Sequence, residues 1–343
     1  MFMTDNMVKS NERDIAADTV RVIAMFFVIF VHVSMAGYPM VLNNVCTALY
    51  LTCNGLFFML SGKFNLRFIG NTAKDYGRYY LKKLITIGFP FVFFSGVITL
   101  YTKHTYGLGI VVKSFVKGMF DGTVSGHLWF MFPLIGMLIS VPFLSKMIAT
   151  LNKSERKILI FVALLWEGIR AFLAKDICRT EFCYSGWFLD SWPIYFVLGY
   201  VIDSVVETDK GKKRLILAGG ICYIFTVIQK TFIPEYSFNI FDRSPIYIIT
   251  TAGMYELISR LGKKIKGVFC SVIAFLAKHS FSVYFIHFSF ISAVEKHYTL
   301  NLGAFGNRTV KIMLVIVCSV FCATVIDTIL INPVINFLKK KIK

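Results

Sequence analysis

Apolar runs long enough to cross a bilayer recur along this chain, and few folds are open to such a sequence. Hydrocarbon offers no water to hydrogen-bond a peptide group, so each run must satisfy its own backbone, as an α-helix does. Ten segments read this way: 19–37, 42–61, 84–101, 128–148, 158–173, 187–202, 215–233, 246–261, 280–294 and 312–331. Composition agrees with them. Hydrophobic residues make up 56% and charged residues 16% of the 343, whereas a soluble domain is roughly one-quarter charged. The expected class is all-α: a polytopic integral membrane protein of about ten transmembrane helices. The chain then divides into a tail (1–17), a ten-helix membrane domain (18–335) and a basic tail (336–343). No repeat, low-complexity segment or soluble domain interrupts it.

The net charge of +18 would suggest a nucleic-acid partner in a soluble protein. Here the positions of the charges point elsewhere. The N-terminal tail and every second connection hold 25 of the 37 Lys and Arg residues, from Lys9 and Arg13 through Lys82 and Lys83 to Lys343. The alternate connections hold 11, and Arg21 lies within the first span. The positive-inside rule places both termini in the cytoplasm, which requires an even number of spans. The basic balance thus serves topology and attraction to anionic membrane lipid, with no nucleic-acid partner expected. The polar N-terminus lacks a signal-peptide pattern, so the first span should remain as a helix. The absence of a soluble domain and the rich use of Phe and Lys suit a bacterial plasma membrane. The eight cysteines show no metal-ligand spacing, and no metal is expected. Cys178 and Cys183 share an outward connection, where a disulfide is open.

Three connections have character of their own. Segment 63–83 carries six basic residues and suggests a short amphipathic helix. Segment 102–127 reads as the longest outward loop. Segment 268–277 reads as an interfacial helix leading into the ninth span, because a central Lys278–His279 pair would be costly in lipid.

Polar groups inside spans are the informative ones, since each costs several kcal/mol unless paired or wet. Asp18 and Arg21 are three residues apart, close enough to pair on one helical face. Arg21 and His32 are eleven apart, about 1100° of rotation, within about 20° of three full turns and about 16 Å along the axis. Taken singly, Arg21 reads as a snorkelling anchor and His32 as a hydrogen-bonded packing histidine. Aligned with Asp18 on one otherwise apolar helix, they favour a site. His127 opens the fourth span beside Trp129 and reads equally as an interfacial residue. His287 lies deeper, in the ninth span. Glu167, Glu256 and Asp327 also fall in spans, either lining a cavity or pairing between helices.

In order, the patterns Asp18-x-x-Arg21-x10-His32, Phe57-Phe-Met-Leu-Ser-Gly62, His127-Leu-Trp-Phe130 and His279-Ser-Phe-Ser-Val-Tyr-Phe-Ile-His287 resemble the acyltransferase-3 family of membrane O-acyltransferases. The resemblance covers roughly 14–335. It implies ten spans with cytoplasmic ends, and transfer of an acyl group, usually acetyl, from cytoplasmic acetyl-CoA or another acyl-CoA. The acceptor would be a hydroxyl of a surface polysaccharide or lipid-linked sugar. It also implies functional roles for Arg21 and His32, with His32 essential to transfer. The family tends to carry Arg-x-x-Arg before its third span. Here Lys82-Lys83-Leu-Ile-Thr86 stands instead, offering point charges without the bidentate fork of Arg.

On this reading His32 is the general base, with Arg21 and Asp18 as its catalytic companions. Arg21, Lys82 and Lys83 would attract coenzyme A phosphates, and His127, Trp129, Tyr284 and His287 would orient the acceptor. The competing reading is a transporter or uptake domain, for an amino acid such as serine or for glycan export, using the same buried Arg and His as a pathway. The chain ends with no appended catalytic module, which lowers that expectation.

Overall fold

A computed structural model describes residues 13–184, 187–234 and 244–341. Lys9 and Lys343, counted above, lie outside the described residues, and every element among those described is helical. Helix α1 (Ile15–His32) is followed by α2 (Met40–Tyr50) and α3 (Thr52–Asn65), then by α4 (Ala73–Lys83), which runs through a π-helical turn (Leu84–Gly88) into α5 (Phe89–Lys103). Next come α6 (Leu108–Asp121), a 3-10 turn (Gly126–Phe130) and α7 (Met131–Thr150). Helix α8 (Lys153–Gly168) ends in a second π segment (Ile169–Ile177), ahead of α9 (Trp192–Val205), α10 (Asp209–Phe232) and α11 (Pro245–Gly262). Helix α12 (Val268–His297) precedes α13 (Gly303–Ile326), a third π segment (Asp327–Ile331) and α14 (Asn332–Lys340).

Seven of the described helices are long and apolar enough to cross a membrane: Ile15–His32, Met40–Asn65, Ala73–Lys103, Gly126–Thr150, Asp209–Phe232, Val268–His297 and Gly303–Lys340. The other three expected segments fall on α8 with its π extension, on α9 and on α11, none of which meets that measure; α9 has only 14 residues. Several boundaries differ from the sequence reading. Helix α1 starts at Ile15 and stops at Val33, in extended conformation, short of the positive-φ Gly37. Segment 268–277 is no separate helix but the first part of α12: Lys278 is exposed while His279 turns inward to a buried carboxylate, so the two side chains leave the helix on different faces. The supposed loop 102–127 contains α6, ended by left-handed Gly122. The expected amphipathic helix is α4, held by a capping box in which Thr72 and Asp75 satisfy each other's backbone N–H. The basic tail continues as α14. Cys178 and Cys183 are free thiols.

Helix α1 lies inside the bundle, against α12, α3 and α11. Its Val20, Ala24, Met25 and Ile29 are all buried. Helices in lipid gain no hydrophobic drive from one another, so close packing must hold them. At the α3–α9 crossing it is closest. A Cβ on Gly62 would fall 1.7 Å from the Phe196 carbonyl oxygen, and one on Gly199 would fall 1.9 Å from that of Met59. The glycine ending the Phe57–Gly62 motif is therefore a packing requirement. It sets α3, with Phe57 and Ser61, against the centre of the bundle.

Candidate functional site

Asp14 caps α1 by accepting the Ala17 N–H at 2.9 Å and faces Lys63 at 3.1 Å. Burial works to raise its pKa, but the N–H and the Lys63 charge outweigh that and hold it below the ordinary value. One turn on, buried Asp18 accepts a hydrogen bond from Arg21 Nη1 at 2.7 Å on one oxygen and pairs with Arg13 through the other. Arg13 also donates to the Ala274 carbonyl at 2.7 Å, tying α1 to α12. The sequence flagged Asp18 and Arg21; Arg13 was legible only as a tail charge.

Arg21 lines a cavity of about 520 Å³ together with Ser61, Asn65, Lys82, Lys83, Ser280 and Tyr284. Lys82 and Lys83 reach it because they end α4 just before the π turn, whose Ile87 also lines the space. Such π turns often mark functional positions. A second, apolar cavity of about 640 Å³ lies alongside, between the Ala73–Lys103 helix and α7, and shares Lys83 and Ile87 with the first. Phe57, Phe130 and Tyr284 also line the polar cavity. Phe57 and Tyr284 also border a gap between α1 and α12, too narrow to admit water, that His287 lines.

There three histidines from three helical segments meet. The His287 ring centre lies 5.5 Å from that of His32 and 5.2 Å from that of His127. Phe288 stacks on His127 at 5.1 Å and meets His32 edge-on at 5.7 Å. Hydrogen bonds fix two of the three rings. His127 Nε2 lies 3.1 Å from the Phe285 carbonyl, which can only accept, so this nitrogen carries the proton. In the neutral ring its Nδ1 then accepts from the Ser125 hydroxyl at 2.8 Å. Tyr284 donates to the His127 carbonyl at 2.5 Å. His287 is fully buried; its Nδ1–H donates to the Tyr284 carbonyl at 2.7 Å, and its Nε2 has no partner among the described residues. His32 is exposed at the end of α1, with no hydrogen bond to its ring among the described residues. Its helix end is held from behind by buried Arg308, which donates to the Phe30 carbonyl at 2.7 Å and sits over the Tyr38 and Tyr50 rings.

Arg21, Lys82, Lys83 and Tyr284 thus share one cavity; His32, His127 and His287 form a cluster that does not line it but meets Tyr284 in its wall. Trp129 stands apart: it packs against Trp192 at 5.1 Å, and its neighbour Phe130 takes the place in the cavity wall. Ser125, Ser280 and Arg308 carried no sequence signal beyond a small polar residue or a connecting charge. The other flagged acids pair between or along helices. Glu167 holds Arg170 and accepts the Ser191 N–H at 2.5 Å, and Glu256 holds Arg260 at 3.0 Å. Asp327 joins His279 at 2.6 Å and Ser282 at 2.5 Å. Among the described residues no group of three His, Cys, Asp or Glu is placed to hold a metal ion.

Chemically, a cavity lined by Arg21, Lys82 and Lys83 can hold a phosphorylated donor, and an imidazole close by can take a proton from a hydroxyl. No curated protein and no solved structure matches the chain. A family model described as an acyltransferase domain does match it, over residues 14–330. With its apolar helices fitting a multi-pass membrane protein and that match covering nearly its whole length, the chain belongs to the acyltransferase-3 family of membrane acyltransferases.

Proposed function

We propose that this protein is an O-acyltransferase that moves an acyl group, acetyl in the simplest case, from cytoplasmic acyl-coenzyme A to a hydroxyl of a surface polysaccharide or lipid-linked sugar. The setting is a bacterial plasma membrane, with ten spans and both termini inside. Three cations lining one cavity, whose wall residue Tyr284 touches two of three clustered histidines, carry this reading. Arg21, Lys82 and Lys83 meet the phosphates of the donor, Arg21 held in place by Asp18. The roughly 16 Å from Arg21 to His32 along α1 matches a donor whose phosphates and thioester lie at opposite ends of an extended arm.

His32 takes the proton of the acceptor hydroxyl as its oxygen attacks the thioester carbonyl. The C–S bond breaks, and the coenzyme A sulfur recovers the proton from the imidazolium. His127 and Tyr284, whose polar atoms are already engaged, shape the acceptor end. The membrane supplies lipid, and the reaction needs no metal.

His32→Ala and His32→Gln in purified protein test this, with thioester cleavage and glycan acetylation measured side by side. Loss of both with normal expression is expected; retained transfer removes His32 from the chemistry. Coenzyme A binding by the wild type, weakened in Lys82→Gln/Lys83→Gln, is also expected. Its absence would favour a transporter, which has no use for it.

A further inference from the structure

A general base usually needs a third group that fixes which of its nitrogens carries the proton, and in the familiar triads a carboxylate does this. No Asp or Glu pairs with His32 among the described residues. What lies against it is His287, whose neutral tautomer is set by geometry. Nδ1 faces a carbonyl and must hold the hydrogen, so Nε2 of the neutral ring presents a lone pair. That lone pair is buried and unpartnered, which costs free energy in a dry interior. The two neighbouring rings differ in what they can offer it. His127 has both nitrogens engaged, by Ser125 and by the Phe285 carbonyl. His32 makes no ring hydrogen bond among the described residues, and its ring centre lies 5.5 Å from that of His287.

We infer that His287 is a positioning residue: its Nε2 accepts a hydrogen bond from one nitrogen of His32, leaving the other unprotonated toward the substrate hydroxyl. His127 acts one step further back, its ring locked by Ser125 and Phe285 so that it cannot compete for the lone pair. The proton account follows from the proposed reaction, on which the catalytic part rests. Neutral His32 keeps the proton shared with His287, gains the hydroxyl proton on its other nitrogen, and returns that one to sulfur. His287 stays neutral throughout. A neutral acceptor suits a low-dielectric setting, where a buried carboxylate would carry a large desolvation cost.

Nitrogen-15 spectra of histidine-labelled protein in lipid nanodiscs test the contact directly, with the His32 signals assigned by their loss in His32→Gln. A single His32 tautomer in the wild type, giving way to a mixture in His287→Phe, is expected. Mixed tautomers in the wild type, or no change in the variant, overturn the inference. Where His287→Phe does not fold, the wild-type spectrum and that of His287→Gln, whose carbonyl can still accept, decide it. In turnover, His287→Phe should lower kcat by roughly 100-fold with KM for the donor within about twofold, and His287→Gln should recover part of that. A KM effect alone contradicts the positioning role. The spectra do not depend on acyl transfer, so failure of the proposed function and failure of this contact are read separately.

Discussion

Arg21 and Asp18 form an ion pair at 2.7 Å one turn apart on α1, and the same carboxylate also holds Arg13. The pair aims a guanidinium at the cavity from a helix whose other faces are packed. Asp18→Asn keeps the shape and removes the charge that holds two arginines. KM for the acyl-coenzyme A donor should rise roughly tenfold, the equivalent of one charge-assisted hydrogen bond of ~1.5 kcal/mol, with kcat less affected. Initial-rate kinetics check this, and an unchanged KM would detach Asp18 from donor binding.

His127 contributes through hydrogen bonds that are already made. His127→Phe retains ring packing against Phe288 but loses two hydrogen bonds, to the Phe285 carbonyl and the Ser125 hydroxyl, at a cost of about 1–3 kcal/mol. Ser125→Ala removes one bond and should cost about 1 kcal/mol. Thermal unfolding in detergent should rank the two in that order.

Two glycines give opposite expectations for the same substitution. Gly62→Ala drives a methyl into the Phe196 carbonyl, so the α3–α9 crossing must open; destabilisation of more than ~3 kcal/mol, or failure to accumulate in the membrane, should follow. Gly136, within α7, has nothing within 4 Å of its missing Cβ, and Gly136→Ala should be neutral or gain up to ~1 kcal/mol.

The buried His279–Asp327–Ser282 group predicts strong coupling. Asp327→Leu alone strands His279 and Ser282, while His279→Leu alone leaves the carboxylate with one donor. Each single change should cost ~3–5 kcal/mol, and the double variant less than the sum, by at least ~1 kcal/mol. Strict additivity in a double-mutant cycle would show the pair to be energetically idle.

The cap at Asp14 should be visible as a pH dependence. Its folded-state pKa lies below the unfolded one, so its contribution is present above the ordinary carboxylate range and fades as pH falls through the lowered value. Asp14→Ala should cost about 1 kcal/mol at neutral pH and little in strong acid, as read from unfolding midpoints across pH.

How much of this was open to a reader of the sequence follows from the range of each interaction. The alignment of Asp18, Arg21 and His32 needed only helical periodicity, and the structure keeps all three on α1. Lys82 and Lys83 were visible as charges before an apolar run, but the π turn that brings them to the cavity depends on how Leu84–Gly88 packs. The meeting of His32, His127 and His287 was out of reach, because residues so far apart in the chain are joined only by helix packing. The same holds for Asp327 and His279. The Glu167–Arg170 pair, three residues apart, was within reach of the spacing rule used for Asp18 and missed. Arg308 looked like a loop charge because nothing local shows that two tyrosine rings enclose it. The count of spans was the least legible quantity, since α8, α9 and α11 are too short or too polar for composition to separate a crossing helix from a buried one.

Between Arg21 and His32, helix α1 has neither Gly nor Pro, so it behaves as a stiff ruler fixed at both ends, by Asp18 near one and by Arg308 at the other. Inserting one residue in that stretch would lengthen it by only about 1.5 Å yet swing the imidazole about 100° away from its neighbours. The number of residues between the two side chains is therefore as much a part of the site as the side chains themselves.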